Sequence, residues 1–254
     1  MINFMEGLAR RVGDMLLAHF EEDEKLLDLR STPKEAATKY DQIADDMIIR
    51  EISGRYPGHS ILTEESGLVK GITEWLWVVD SLDGTGNYAG WNPLFSVCIA
   101  VMHSGELLMG VVYAPAIGEF YLAEKSSGAY LNQRRIRVSE TSVLKQSYLL
   151  YCEGGEKDRM NTGGTISRVY PEVTDLRKLG SAGLETAWVA AGKAEAYYTT
   201  KLDPWDVAPG VLLVREAGGK VTDFSGEGWK LEKGDWLFSN GKVHPALLKL
   251  INRK

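Results

Sequence analysis

Long hydrophobic runs are missing from this chain of 254 residues. The longest are about eight residues, far short of the ~20 a membrane-spanning helix needs, so no membrane partner is expected. Cysteine is scarce: only Cys98 and Cys152 occur, and they form no C-x-x-C pair. Two reduced, packed thiols in a cytoplasmic protein is the reading that follows. No Asn-x-Ser/Thr sequon occurs, in keeping with that compartment. Met1-Ile2-Asn3-Phe4-Met5-Glu6 places no basic stretch ahead of a long apolar one, so no secretory leader is expected. Positive charge also runs short, with 29 Lys and Arg against 35 Asp and Glu and a net charge of −6. Nothing basic is clustered enough to neutralise a phosphate backbone, so nucleic acid is not an expected partner. Internal repeats and low-complexity tracts are absent as well.

What remains is the composition of a globular protein, 44% hydrophobic and 25% charged. A chain this long buries roughly 70–75% of its unfolded surface, so its fold needs no metal or disulfide. Phe4, Leu8, Val12, Leu16 and Phe20 recur every fourth residue and predict a first helix. Residues 21–38, charged and carrying Pro33, read as a loop. A second helix is expected after Thr38, burying Ile43, Met47, Ile48 and Ile52. The period then changes. Strands are expected at Ile61–Thr63, Trp75–Val79, Phe95–Met102, Glu106–Tyr113, Glu119–Glu124 and Ala129–Val138, with a Ser104-Gly105 hairpin turn. Trp75–Val79, apolar on both faces, suits the middle of a sheet. The second half alternates: strand Ser147–Tyr151, helix Gly183–Ala191, strand Ala194–Tyr198, helix Asp206–Ala217, strand Lys220–Asp223 and helix His244–Ile251. A boundary between an α+β half, 1–143, and an α/β half, 144–254, fits this change.

Glycine is the excess: 27 residues, about 11% against a usual ~7%, many beside acidic residues, where backbone must approach a ligand. The segment Val79-Asp80-Ser81-Leu82-Asp83-Gly84-Thr85-Gly86-Asn87 delivers two carboxylates at the end of a buried strand and then turns through Gly-Thr-Gly. Carboxylates so placed are hard oxygen ligands for Mg²⁺ or Mn²⁺. The amides of Gly84, Thr85 and Gly86 can form a concave donor nest for an anion. Turn and cap roles for Asp80 and Asp83 are the plain alternative. Three further acidic pieces weigh against it: Glu64-Glu65-Ser66-Gly67 at another strand end, Asp41 at a helix start, and Asp206 after Pro204-Trp205. Asp41 and Asp206 could each be an ordinary helix cap. Other motifs fail. Gly84, Gly86 and Gly90 are one residue too widely spaced for a dinucleotide fingerprint, no Gly-Lys pair precedes Ser or Thr, and no G-x-S-x-G occurs. His19, His59, His103 and His244 show no zinc spacing.

These residues together resemble the inositol monophosphatase superfamily of Mg²⁺-dependent, lithium-sensitive phosphatases, and most of all its archaeal-type dual inositol-1-monophosphatase/fructose-1,6-bisphosphatase members. The likeness rests on Glu64-Glu65-Ser66-Gly67, on Asp80 to Asn87, and on Trp205-Asp206-Val207-Ala208 with Glu216-Ala217-Gly218-Gly219; Gly128 to Asn132 and Arg135 to Ser139 match the family's hairpin. It implies a layered α/β/α/β/α sandwich, usually a homodimer, and two or three Mg²⁺ per subunit. Glu64, Asp80 and the Leu82 carbonyl are then the first metal's ligands, and Asp80, Asp83 and Asp206 the second's. A third ion near Glu64 is weaker. Gly84, Thr85 and Gly86 face the phosphate, Thr85 and Asp41 orient the attacking water, and Glu65 stands behind them. Ser181, Ala182 and Asp206 are implied substrate contacts.

The chain departs from the pattern at three places. Ser81 replaces a usual Pro, an expected loosening of the turn that holds the Leu82 carbonyl. Gly86 replaces a common Thr. Pro209 stands in what reads as the first turn of its helix. Thr199 occupies the position where inositol-selective relatives carry a carboxylate. Arg177, Lys178 and Lys201 could grip a second phosphate, as in fructose 1,6-bisphosphate, or be solvated surface charges. The loop 28–38, with Lys34 and Glu35, could close over the site, as the mobile loop of relatives does, or be a plain surface loop. The expected activity is hydrolysis of inositol monophosphate or fructose 1,6-bisphosphate by metal-activated water. The alternatives are a 3′-phosphoadenosine 5′-phosphate or histidinol-phosphate phosphatase and, in another class, an inactive metal-binding scaffold.

Overall fold

The structure, a computed structural model, describes residues 1–25, 33–153 and 159–253, and of 21–25, 33–37, 159 and 161 the backbone alone. Helix α1 (Ile2–Lys25) buries Met5, Leu8, Val12 and Leu16, the four-residue rhythm of the sequence. Helix α2 (Pro33–Arg55) starts earlier than the sequence suggests. Pro33 is its first residue rather than the middle of a loop, a place where the missing N–H costs nothing. Residues 21–25 and 33–38 of the expected loop are helical, and residues 26–32 lie outside the described residues. The buried stripe of α2 is Asp41, Ala44, Asp45, Ile48 and Ile52; Ile43 is 41% exposed, so the apolar face is rotated from the expected one.

Eight strands follow: β1 (Ser60–Thr63), β2 (Gly67–Val69), β3 (Trp75–Asp83), β4 (Ser96–His103), β5 (Glu106–Ala114), β6 (Glu119–Glu124), β7 (Gly128–Leu131) and β8 (Arg134–Ile136), with α3 (Thr85–Ala89) between β3 and β4. They form one sheet in the order β2-β1-β3-β4-β5-β6-β7-β8. Only β1 and β3 run parallel. The expected strand 129–138 is broken into a hairpin at Asn132 and Gln133, whose φ angles of 47° and 68° reverse the chain. Ser104 and Gly105, at φ 50° and 80°, make the expected turn in the same way.

The second sheet comprises β9 (Tyr148–Glu153), β10 (Asp175–Arg177), β11 (Ala196–Leu202), β12 (Lys220–Asp223) and β13 (Gly234–Ser239), in the order β10-β9-β11-β13-β12. Its helices are α4 (Arg159–Val169), α5 (Ala182–Ala190), α6 (Pro204–Glu216) and α7 (His244–Ile251). Alternation along the strands sorts the core into layers. Trp77, Val79, Ile99 and Val111 face α1 and α2. Val78, Ala100 and Val112 face α5 and α6, which meet Tyr197 and Phe238 of the second sheet on their far side. Leu149, Tyr198 and Leu237 on the opposite face meet α4 and α7. The result is the expected α/β/α/β/α stack, in which the middle helix layer belongs to both sheets.

Helix α6 begins at Pro204, with Asp203 as N-cap, so Pro209 sits in the second turn and not the first. It fits because β5 offers Gly110 there: a Cβ on Gly110 would lie 2.9 Å from the Pro209 carbonyl oxygen.

Candidate active site

Strand β3 is flanked by β1 and β4 and buried from Trp77 onward, so whatever its C-terminal end carries is carried into the core. It carries Asp80, 2% exposed. Asp80 Oδ1 accepts the Leu82 N–H at 3.0 Å, which curls the strand end and turns the pairing with β4 irregular between Asp80 and Asp83. Glu64 follows β1, the parallel neighbour of β3, and Asp206 lies in the first turn of α6. One carboxylate oxygen from each of Glu64, Asp80 and Asp206 lies within 4.8 Å of the others.

Such proximity is costly. The charged groups acting on Asp80 are Asp83, Glu64, Asp206 and Asp41, all of one sign, and burial followed by these neighbours raises its pKa well above the carboxylate range. Burial, then Asp83 and Glu64, does the same to Asp206. Burial and Glu65 push Glu64 up to about 7. Three hard oxygen donors crowded without a compensating cation are a fitting donor set for a divalent metal ion.

Asp83 stands beside this cluster and points elsewhere. Its Oδ1 accepts the Ala182 N–H at 2.9 Å; its Oδ2 accepts the Gly183 N–H at 2.9 Å and the hydroxyls of Ser96, at 2.8 Å, and Ser181. It thus caps the start of α5 and ties the two halves of the molecule together. Ser181 and Ala182 are brought to the site through Asp83. Gly84 takes φ 90° and precedes α3, and a Cβ there would come 3.1 Å from the Gly180 and Leu94 carbonyls, so any other residue would be strained and crowded. Thr85 and Gly86 open α3, so their amides lack intrahelical acceptors. Asn87 holds this turn to the segment before α5 by donating to the carbonyls of Leu94 and Leu179.

Thr85 and Asp41 each have another hydrogen-bond partner. Thr85 Oγ1 donates to the Leu82 carbonyl at 3.2 Å, and Asp41 Oδ1 instead accepts the Ser81 hydroxyl at 2.8 Å. Burial pushes Asp41 up to about 7, with Ser81 pulling the other way and Glu65, Glu64 and Asp45 adding to the rise. Arg177 and Lys201 are not gathered in. Arg177 donates to Asp175 at 2.7 Å and lies over the Tyr148 ring. The Lys201 amide donates to Asp235 at 2.8 Å, and the residue lines a cavity of about 410 Å³ with Arg168 and Phe224. Lys178 pairs with Glu153 at 2.6 Å.

The partners of four residues escape a reading of the sequence: Ser81, Ser96, Asn87 and Asp45, the last accepting the Ser66 hydroxyl. Asp45 carries a signal, since it lies one helical turn beyond Asp41 on the same face. The others are polar residues whose partners are distant in sequence.

The acidic crowding has a measurable sign. Between the ordinary carboxylate range and their raised values, Glu64, Asp41 and Glu185, the last pushed up to about 8 by burial, bind protons that the unfolded chain has lost. Folding stability of the metal-free protein therefore falls as pH rises through that window. Below about pH 6.5 the buried His244, pushed down to about 4, acts in the opposite direction. Urea midpoints in chelator are accordingly expected to drop from about pH 6.5 to about pH 8.5, and Mg²⁺ to shrink the difference. A midpoint that holds or rises would remove the crowding account.

A family model described as the inositol monophosphatase family matches residues 1–254. This chain belongs to that family. A fructose-1,6-bisphosphatase/inositol-1-monophosphatase of Thermotoga maritima is 37% identical over 252 residues, covering 99% of this chain and 95% of its own length. A Nus factor SuhB of Xylella fastidiosa is 37% identical over 228 residues, covering 89% and 82%. Among solved structures, an inositol monophosphatase from Anabaena superposes with a TM-score of 0.88 at 32% identity, covering 98% of this chain and 94% of that one. Family and fold support a phosphatase with an acidic site able to bind metal. Among the described residues, no helix is long and apolar enough to cross a membrane.

Proposed function

We propose that this chain is a Mg²⁺-dependent phosphomonoester hydrolase acting on inositol monophosphate and fructose 1,6-bisphosphate. The observation that carries the reading is the set of Glu64, Asp80 and Asp206 oxygens within 4.8 Å of one another, beside the start of α3. Two or three Mg²⁺ per subunit, replaceable by Mn²⁺, would be held by Glu64, Asp80, Asp206 and the Leu82 carbonyl, with Asp83 supplying the lone pair of Oδ1 that Ala182 leaves. Bound there, the ions supply Lewis acidity and a water of lowered pKa.

The chain does the rest. The amides of Gly84, Thr85 and Gly86 donate to the phosphate oxygens, and their fixed turn keeps them aimed as charge builds on those oxygens. Asp41 orients the attacking water and takes its proton. Water attacks directly and no phosphoenzyme forms. Residues 1–143 supply Glu64, Asp80 and Asp41, and residues 144–254 supply Asp206 and the Ser181–Ala182 wall, so cleavage takes place where the halves meet. A homodimer in the cytoplasm is the proposed assembly. Arg177 is paired with Asp175 and Lys201 lines a separate cavity, so a second phosphate is not assigned to them.

One relative is named for the hydrolase and another for a Nus factor, so relatives' names do not choose between enzyme and scaffold. The retained acidic set favours the enzyme. The test is phosphate release with Mg²⁺ from inositol 1-phosphate, fructose 1,6-bisphosphate and 3′-phosphoadenosine 5′-phosphate, with Asp80→Asn as control for contaminants. Comparable turnover of the first two is expected. Turnover of the nucleotide alone would keep the site and replace the substrate, and release from none, with Mg²⁺ binding intact, would favour the scaffold.

A further inference from the structure

Two carboxylates one helical turn apart on α2, Asp41 and Asp45, are each gripped by a serine hydroxyl from the strand ends below: Asp41 by Ser81 of β3, Asp45 by Ser66 in the turn before β2. The first grip lies inside the site. Ser81 is 2% exposed and Asp41 4%, so their hydrogen bond is sheltered from competing water. The hydroxyl reaches Asp41 twice, at 2.8 Å to Oδ1 and at 3.3 Å to the main-chain oxygen. A hydroxyl has one proton to give. With it shared between two acceptors of one residue, the Ser81 hydroxyl ties the Asp41 carboxylate and main chain to the end of β3.

We infer that Ser81 is the positioning residue for Asp41, presenting its carboxylate to the attacking water by way of the Ser81 hydroxyl. The inference rests on the hydrolase reading and deepens it. It also reverses the expectation attached to this departure from the family pattern. Proline has no hydroxyl and no N–H, so it could only stiffen the turn. Serine adds a donor that proline cannot supply, and Thr85, whose hydroxyl is turned to the Leu82 carbonyl, does not supply it in this chain.

The two accounts of Ser81 separate in a variant set assayed for phosphate release from inositol 1-phosphate and fructose 1,6-bisphosphate with Mg²⁺. A hydrogen bond to a charged group corresponds to roughly ten- to a hundredfold in rate. Ser81→Ala is expected to lower kcat by about that factor, with KM changed less than about threefold and Mg²⁺ affinity, measured by calorimetry without substrate, unchanged. Ser81→Thr, which keeps the donor, is expected to recover most of kcat. In an Asp41→Asn background, Ser81→Ala is expected to cost little more. Were Ser81 acting only by loosening the turn at Leu82, Ser81→Ala would weaken Mg²⁺ binding and cost as much in the Asp41→Asn background as in the parent. Either result overturns the inference, as does a Ser81→Thr protein no better than Ser81→Ala while both melt like the parent. An Asp41→Asn protein of full activity overturns it too, and leaves the hydrolase reading standing. A parent chain that releases no phosphate from either ester overturns both.

Discussion

Asp80→Asn is expected to reduce phosphate release by at least about a thousandfold and to raise the melting temperature of the metal-free protein. The two effects have one cause. Asp80 is a buried carboxylate with four acidic neighbours acting on it. Replacing it by the neutral amide removes repulsion that the folded chain bears only without a cation. The amide retains an oxygen for the Leu82 N–H, so the strand end keeps its curl. What is lost is the ligand charge, and with it the transition-state stabilisation that a bound metal ion provides. The check is a pair of melting curves for each protein, with chelator and with Mg²⁺. Parent protein should be stabilised by Mg²⁺ and the variant should not. A variant that melts lower than the parent in chelator would show that Asp80 is a structural residue first.

Three residues further on, the expected sign is opposite. Asp83→Ala leaves the Ala182 and Gly183 amides, 2.9 Å from its oxygens, without an acceptor in a buried setting. Ser96 and Ser181, 3.1 Å apart, can turn to each other; the two amides cannot. An unmade helix-start acceptor and buried unsatisfied donors together amount to about 3 kcal/mol. The metal-free Asp83→Ala protein should therefore unfold at lower urea, while also losing activity. Equal urea midpoints for variant and parent would mean that α5 is held by its apolar packing alone.

The contrast shows what can be read from a sequence. Asp80 and Asp83 announce themselves because an apolar strand ends in them and glycines follow. The layers are legible because helix and strand periods differ. Partners across the fold are not. Nothing local says that Asp83 meets residues 181–183, or that the hydroxyl of Ser81 meets Asp41, forty positions earlier. Ser81 invites a judgement about its own turn, since a departure from proline is visible while the acceptor is not. Pro33 and Pro209 are misplaced for a related reason: each is read against a guessed helix start, and one turn of error moves a proline from loop to helix or from first turn to second. Helix α4 carries adjacent glycines, Gly163 and Gly164, which argue against a helix until it is seen packed beside α7. Arg177 has the charge for a second phosphate, but Asp175 has already engaged it, and Lys201 lines a separate cavity with Arg168 and Phe224.

Asp206 holds two appointments. With one carboxylate oxygen it accepts the Asp203 N–H at 2.8 Å, completing the reciprocal cap that starts α6, and it also belongs to the acidic trio. Asp80 also accepts one main-chain N–H, that of Leu82, but that bond curls a strand end and starts no helix, and the folded chain is better off without the charge of Asp80 when no cation is present. A descendant released from selection for hydrolysis would therefore drift first at Asp80 and keep Asp206 long after the chemistry had gone. In a silent copy of this fold, an aspartate surviving at 206 would record the demands of a helix and not a lingering activity.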